Sequence, residues 1–165
     1  IKSAKILKDK NINFKLNIYA DGTLKQNLQK LVIELALSDC IEFCGKYTQE
    51  NLVDILERHH VYVSMSHSDA GIASSTAEAM STGLICCISD VAENDYWIKN
   101  NITGYLIEDD NHEQLADKIE EIYEQGSYLQ EMSKNARNKI KEDNSIDGEM
   151  LKMGKLYKKL GKDIV

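Results

Sequence analysis

Between residues 66 and 83 the chain reads SHSDAGIASSTAEAMSTG. Small residues dominate this run, and His67, Asp69 and Glu78 are its chemically active side chains. It follows an apolar, strand-like segment at Val61–Met65 and leads into a stretch predicted to be helical from about Ser75 to Thr82. A loop kept thin by Ala70, Gly71 and Ala73 lets backbone N–H groups approach a ligand closely. The opening N–H groups of a helix have no internal partner, and its dipole places about +0.5 charge there. Strand, thin loop and helix start, in that order, suit a phosphate group. Glu78, one turn in, is placed to accept both hydroxyls of a ribose diol, each charge-assisted bond being worth ~1.5–3 kcal/mol. The same residues also have a purely structural reading. Ser75-x-x-Glu78 has the spacing of a capping box, with Glu78 bonding back to the helix start, and Gly71 would then be a simple turn. Both readings stand at this point.

The elements that must hold this loop alternate along the chain. A helix is predicted at Ile1–Lys10 and a strand at Phe14–Ala20, which runs into an Asp21-Gly22 turn. A helix follows at Leu24–Leu37, with Leu24, Leu28, Leu31, Val32 and Leu35 on one stripe. A short strand at Cys40–Cys44 closes on Gly45. The helix at Gln49–Arg58 is expected to turn Leu52, Val53, Ile55 and Leu56 inward. After the central segment, Gly83 stands where a left-handed helix cap is needed. Leu84–Ser89 is an apolar strand, and a short helix lies near Glu93–Lys99. A turn at Thr103-Gly104 precedes a strand at Tyr105–Ile107. Helices at Glu113–Glu124, Ser127–Glu142 and Ile146–Leu160 complete the chain, and Asp109-Asp110 reads as the cap of the first of these.

Continuously apolar strands alternating with helices indicate a parallel sheet covered on both faces. Right-handed crossovers then give a Rossmann-like, doubly wound α/β domain. Ligands of such sheets bind beyond the carboxyl ends of the strands. The relevant loops are residues 20–24, 45–48, 66–74 and 89–94 and the turn near Asp109.

Composition narrows the function classes. The chain has 165 residues, 42% apolar and 28% charged, which suits one globular domain over residues 1–165. Its net charge of −7 argues against a general nucleic-acid binder. No apolar run reaches bilayer length and no signal peptide is visible. Cys40, Cys44, Cys86 and Cys87 lack a second ligand pair at zinc spacing, and adjacent strand cysteines make a poor disulfide. They read as small buried hydrophobes, in keeping with a reducing cytoplasm. Ile1 opens inside the first helix with no strand before it, so the chain reads as a fragment of a longer protein. In the tail, Lys152–Lys162 carries lysines beside Leu151, Leu156 and Leu160. That pattern reads as a solvated face on a packing helix, with contact to an anionic membrane as the alternative.

The run from Ser66 to Gly83 resembles the "S-x-x-E-G-x-x-x-x-x-x-E-A-M-x-x-G" signature of family 4 retaining glycosyltransferases. Ser66, Gly71, Glu78, Ala79, Met80 and Gly83 match it. Further pieces are similar in the same order: the turn Tyr19-Ala-Asp-Gly-Thr-Leu-Lys25, then Ile41-Glu-Phe-Cys-Gly45, Asn101-Ile-Thr-Gly-Tyr-Leu106 and Asn135-Ala136-Arg137. The resemblance implies the C-terminal, donor-binding half of a GT-B fold. An N-terminal acceptor domain and the first strand of this domain would be absent from the chain.

It also implies roles for single residues. Glu78 would grip the ribose, and the backbone at Ser75 and Thr76 would hold the diphosphate. Gly71, Ile72 and Ala73 would face the donor sugar, with His67 beside them. Lys46 and Tyr47 would contact the base, and Gly22 would supply the first turn. Glu93 would approach the donor, while Tyr96 and Trp97 read as packing residues. The family's first acidic residue falls at Ala70, with Asp69 next to it as the substitute catalytic carboxylate. The family's basic pair lies ahead of the first helix, outside this chain. The donor implied is a UDP- or GDP-sugar, used without metal or other cofactor. The acceptor would belong to a cell-surface glycan or lipid-linked glycan, and the protein would be cytoplasmic or at the inner face of the membrane. Alternatives are another GT-B enzyme such as an epimerase or phosphorylase, a binding domain without activity, and a receiver-like module. For the last, the Ala20–Gly22 turn offers only one acid.

Overall fold

The computed structural model describes residues 1–67, 72–126 and 128–162. In chain order the elements are α1 (Lys2–Asp9), β1 (Leu16–Ile18), α2 (Lys25–Glu34), β2 (Ile41–Phe43), α3 (Gln49–Leu56), β3 (Val61–Ser64), α4 (Ser74–Thr82), β4 (Ile85–Ser89), α5 (Asn94–Trp97), β5 (Tyr105–Ile107), α6 (His112–Glu124), α7 (Tyr128–Asp143) and α8 (Ile146–Lys162). This is the alternation expected, with strands one or two residues shorter at their ends.

Every ladder among the described residues is parallel. β1 pairs with β2, and β3, β4 and β5 form a second ladder in that order. Asn17 Nδ2 lies 2.9 Å from His59 Nε2, tying β1 to the residues just before β3. His59 also sets Nδ1 on the Ile55 carbonyl at 2.6 Å, which the Arg58 N–H bonds as well at 3.2 Å.

β4 shows why the sheet must be covered twice. All five of its residues are buried, and successive side chains on a strand point to opposite faces. Cys86 and Ile88 pack with Leu56, Ala79, Met80 and Ala136 on one face. Ile85 and Cys87 pack with Tyr105, Leu115 and Met132 on the other. A third cluster, built on Ala4, Val32, Leu37 and Ile41, lies under the first ladder.

Three packing expectations are corrected. Val53 is 52% exposed and Leu24 63% exposed, so the inward stripes of α3 and α2 are narrower than the apolar pattern suggested. The C-terminal helix meets α7 near its start but leaves its apolar side chains uncovered. Ile146, Met150, Leu151, Met153, Leu156, Tyr157 and Leu160 are all exposed. Lys152, Lys155, Lys158 and Lys159 fall on the other side of α8 from Met150, Met153, Tyr157 and Leu160 at 100° per residue.

Candidate functional site

The register places the carboxyl ends of three strands level. Ser64 pairs with Ile88, and Ser89 pairs with Ile107. The segments after β3, β4 and β5 therefore leave one edge together and bond to one another. The Ser89 hydroxyl donates to the Ser66 carbonyl. The Asp90 N–H donates to the Ile107 carbonyl at 2.7 Å. The amide of Asn94, 1% exposed, donates to the Ser89 carbonyl at 3.0 Å. His67 Nδ1 meets Asp109 Oδ1 at 2.8 Å.

α4 starts on this edge. Its N-cap is Ala73, in extended conformation and with no side chain able to cap. The Thr76 and Ala77 N–H groups both donate to the Ala73 carbonyl, at 2.9 and 3.0 Å. That leaves the Ser74 and Ser75 N–H groups of the first turn without a partner among the described residues. The Thr76 side chain is buried.

The capping-box reading of Ser75 and Glu78 is overturned. Ser75 is the second residue of α4 rather than its cap, and its hydroxyl bonds the Tyr62 hydroxyl at 2.8 Å. The half-buried carboxylate of Glu78 makes no hydrogen bond or ion pair with any described residue. A box-type contact exists instead at α3, where the Thr48 N–H donates to Asn51 Oδ1 at 2.9 Å.

Tyr47, on the turn after β2, comes into the field of Glu78. Burial raises its hydroxyl pKa above the ordinary value, and the charges of Glu78 and Tyr62 push in the same direction. Tyr47 is 38% exposed, so a phenol ring stands open to solvent beside the free carboxylate. Lys46 is exposed on the same turn. At the first turn, the Gly22 N–H is taken by Asp21 Oδ1 at 3.0 Å, and Lys25 pairs with Asp21 at 3.7 Å. Ile72 and Ala73 are half-buried, and Ile72 packs against the core below β4. Asp69, Ala70 and Gly71 lie outside the described residues.

The Asp109-Asp110 pair is not a cap. Asn111 takes that role by accepting the Gln114 N–H at 2.9 Å. Asp109 is instead held by His67, and with Asp110 the three side chains bring ligand-competent atoms within 4.8 Å of one another, all exposed. Glu93 is exposed just before α5. Trp97 packs on the core, and Lys139 Nζ lies 3.9 Å from the centre of the Tyr96 ring. Both rings thus serve the α5–α7 contact.

Tyr62 is the site residue that sequence reasoning missed. The one available signal was a hydroxyl-bearing aromatic in an apolar strand that leads directly into the loop.

The chain matches the family of glycosyl transferases group 1 over residues 1–139, and it belongs to that family. An uncharacterized glycosyltransferase of Methanocaldococcus jannaschii is 26% identical over 156 residues, covering 94% of this chain and 39% of the relative. The UDP-Gal:alpha-D-GlcNAc-diphosphoundecaprenol alpha-1,3-galactosyltransferase of Escherichia coli is 31% identical over 109 residues, covering 66% of this chain and 28% of the relative. The chain thus spans well under half the length of these curated relatives. Among solved structures, TarM superposes with a TM-score of 0.81 at 27% identity, covering 94% of this chain and 31% of TarM. A glycosyltransferase from Rickettsia africae gives 0.83 at 19% identity, covering 97% and 43%. The fold is α/β with parallel ladders and helices on both sides, and its structural neighbours are GT-B glycosyltransferases. No helix among the described residues is long and apolar enough to cross a membrane.

Proposed function

We propose that this domain binds a UDP-sugar and is the donor half of a retaining glycosyltransferase of family 4 type. The observation that carries the reading is the half-buried carboxylate of Glu78, which pairs with no described residue, one turn beyond the Ser74 and Ser75 amides, which likewise have no partner among the described residues. A carboxylate with no hydrogen-bond or ion-pair partner among the described residues is available to a diol, and two N–H groups at a helix start suit a diphosphate. Tyr47 and Lys46, exposed on the turn after β2, would contact the base, and Gly22 would supply the first turn. Uridine is favoured over guanosine because S. aureus TarM has been solved in complex with UDP, and Anabaena HepE with UDP-glucose.

In the reaction the bond from the anomeric carbon to the diphosphate oxygen breaks, and its electron pair goes to the diphosphate. The acceptor oxygen forms the new bond on the same face of the sugar and passes its proton to the departing diphosphate oxygen. Donors fixed before the charge develops lower the barrier, and the α4 amides are such donors. Asp69 would face the donor sugar in place of the acid absent at Ala70, and Gly71, Ile72 and Ala73 would line it with His67. No metal or other cofactor is required for this scheme.

The acceptor, a glycan or lipid-linked glycan of a surface polysaccharide, would be held by a further domain of a longer protein. The exposed apolar stripe of α8 is a surface for that domain to cover. The lysines on the other side of α8 would then remain free to meet anionic lipid headgroups.

Calorimetric titration with UDP and GDP tests the reading. UDP should bind, and Glu78→Ala should weaken it at least about tenfold, the loss of one charge-assisted bond. Equal affinity in the two proteins would remove Glu78 from the site. Sugar transfer is expected only when the acceptor domain is present.

A further inference from the structure

α4 is a poor helix start by every local criterion. Ala73 cannot cap it, its first turn contains no acid, and it opens Ser-Ser-Thr-Ala. Serine and threonine side chains compete with the helix for backbone groups, and an uncapped first turn frays. Yet the Ser74 and Ser75 amides must hold one direction if they are to meet a diphosphate.

The first turn is instead anchored from the sheet. Tyr62 on β3 packs against the cluster that contains Ala79 and Met80 of α4. Its hydroxyl reaches the Ser75 hydroxyl at 2.8 Å. β3 is itself fixed to β4 along its whole length, from Val61 to Ser64. The aromatic ring is therefore a rigid strut with a polar tip, and its tip sits on the residue that carries one of the two amides with no partner among the described residues.

We infer that Tyr62 is a positioning residue for the diphosphate cradle, its hydroxyl holding Ser75 so that the Ser74 and Ser75 amides face the ligand. The inference rests on the donor site proposed above. Tyr62 touches no substrate in this account. It acts through Ser75, and its effect falls on the phosphates and not on the nucleoside.

The test compares Tyr62→Phe, which keeps the ring, with the native protein in titrations of UDP and of uridine. UDP should bind roughly five- to tenfold more weakly to the variant, about one hydrogen bond's worth, while uridine binds both proteins equally. Ser75→Ala should produce the same selective loss, and the double variant should lose little more, as members of one contact do. A merely structural tyrosine would lower the melting temperature and weaken UDP and uridine together, and that result overturns the inference. So does unchanged UDP affinity in Tyr62→Phe, which leaves the donor site itself intact. If the native protein binds neither UDP nor GDP, the donor-site reading fails and the role of Tyr62 falls with it.

Discussion

Arg137 of α7 donates from Nη2 to the carbonyl of Thr82 at 2.7 Å, closing the far end of α4. Ser133, one turn earlier on α7, donates to the Gly83 carbonyl at 2.7 Å. The helix that carries Glu78 is thus clamped at its carboxyl end by two side chains from a helix some fifty residues later. Gly83 makes the approach possible, with φ 86° and no side chain. A Cβ there would stand 2.4 Å from Arg137 Nε and 2.6 Å from Ser133 Oγ. Gly83→Ala should cost about 1–2 kcal/mol for the left-handed backbone alone, and more where Arg137 is displaced. Chemical denaturation would measure it, and a loss below 0.5 kcal/mol (roughly the level of a neutral surface change) would show that the clamp yields freely.

Gly104 has a tighter neighbour. Its φ is 154°, and an added Cβ would lie 2.6 Å from the Cys86 carbonyl oxygen, a backbone atom at the centre of the ladder. Backbone cannot swing aside as a side chain can. Gly104→Ala should destabilise the protein by about 1–3 kcal/mol, in the range of core overpacking, visible as a lower denaturation midpoint with unchanged slope.

The cysteines should differ in reactivity by position. Burial pushes the Cys86 thiol well above its ordinary range and raises that of Cys87 to about 12. Cys40 is buried too, with its thiol raised in the same direction and donated to the Leu37 carbonyl. Iodoacetamide at pH 8 should therefore modify Cys44 in the native protein and all four residues after denaturation. Mass spectrometry of the intact chain reads the difference, and early modification of Cys86 or Cys87 would contradict the two-faced core.

Alkaline pH should loosen the face that holds Tyr105. Burial, followed by the charge of Glu121, pushes the Tyr105 hydroxyl up to about 12. In the unfolded chain a tyrosine ionises near 10. Between those values the folded state holds a proton that the unfolded state has lost, so stability falls as pH rises through this window. Tyr105→Phe should show a shallower loss over the same range in urea melts at pH 9 to 11.5. An identical slope would mean that other groups govern the alkaline limb.

The strand and helix order was legible in the sequence because the central strands are apolar runs and most turns carry Gly, Asn or Asp. Family membership followed from the Ser66–Gly83 run and its companions, whose types and order survive even where single letters drift. What failed was local pattern matching against tertiary demand. Ser75 and Glu78 have capping-box spacing, but the helix is capped two residues earlier, at Ala73, and Tyr62 claims the Ser75 hydroxyl. Asp109 and Asp110 resembled a cap, yet Asn111 fits the geometry and Asp109 goes to His67. In each case a partner distant in sequence outbid the neighbour that the spacing had suggested. Val53 and the apolar residues of α8 show the converse limit, since an apolar letter does not say which body it will face.

The common edge of β3, β4 and β5 separates two kinds of residue along the chain. Below it lie the interlocked side chains of both faces, and above it the described residues of three short connections bond to one another through Ser66, His67, Ser89 and Asp109. Exchanging those connections for ones from another member of the family should leave the scaffold folded while altering what it accepts. On the donor-site reading proposed above, such chimaeras would be a practical route to new sugar preferences.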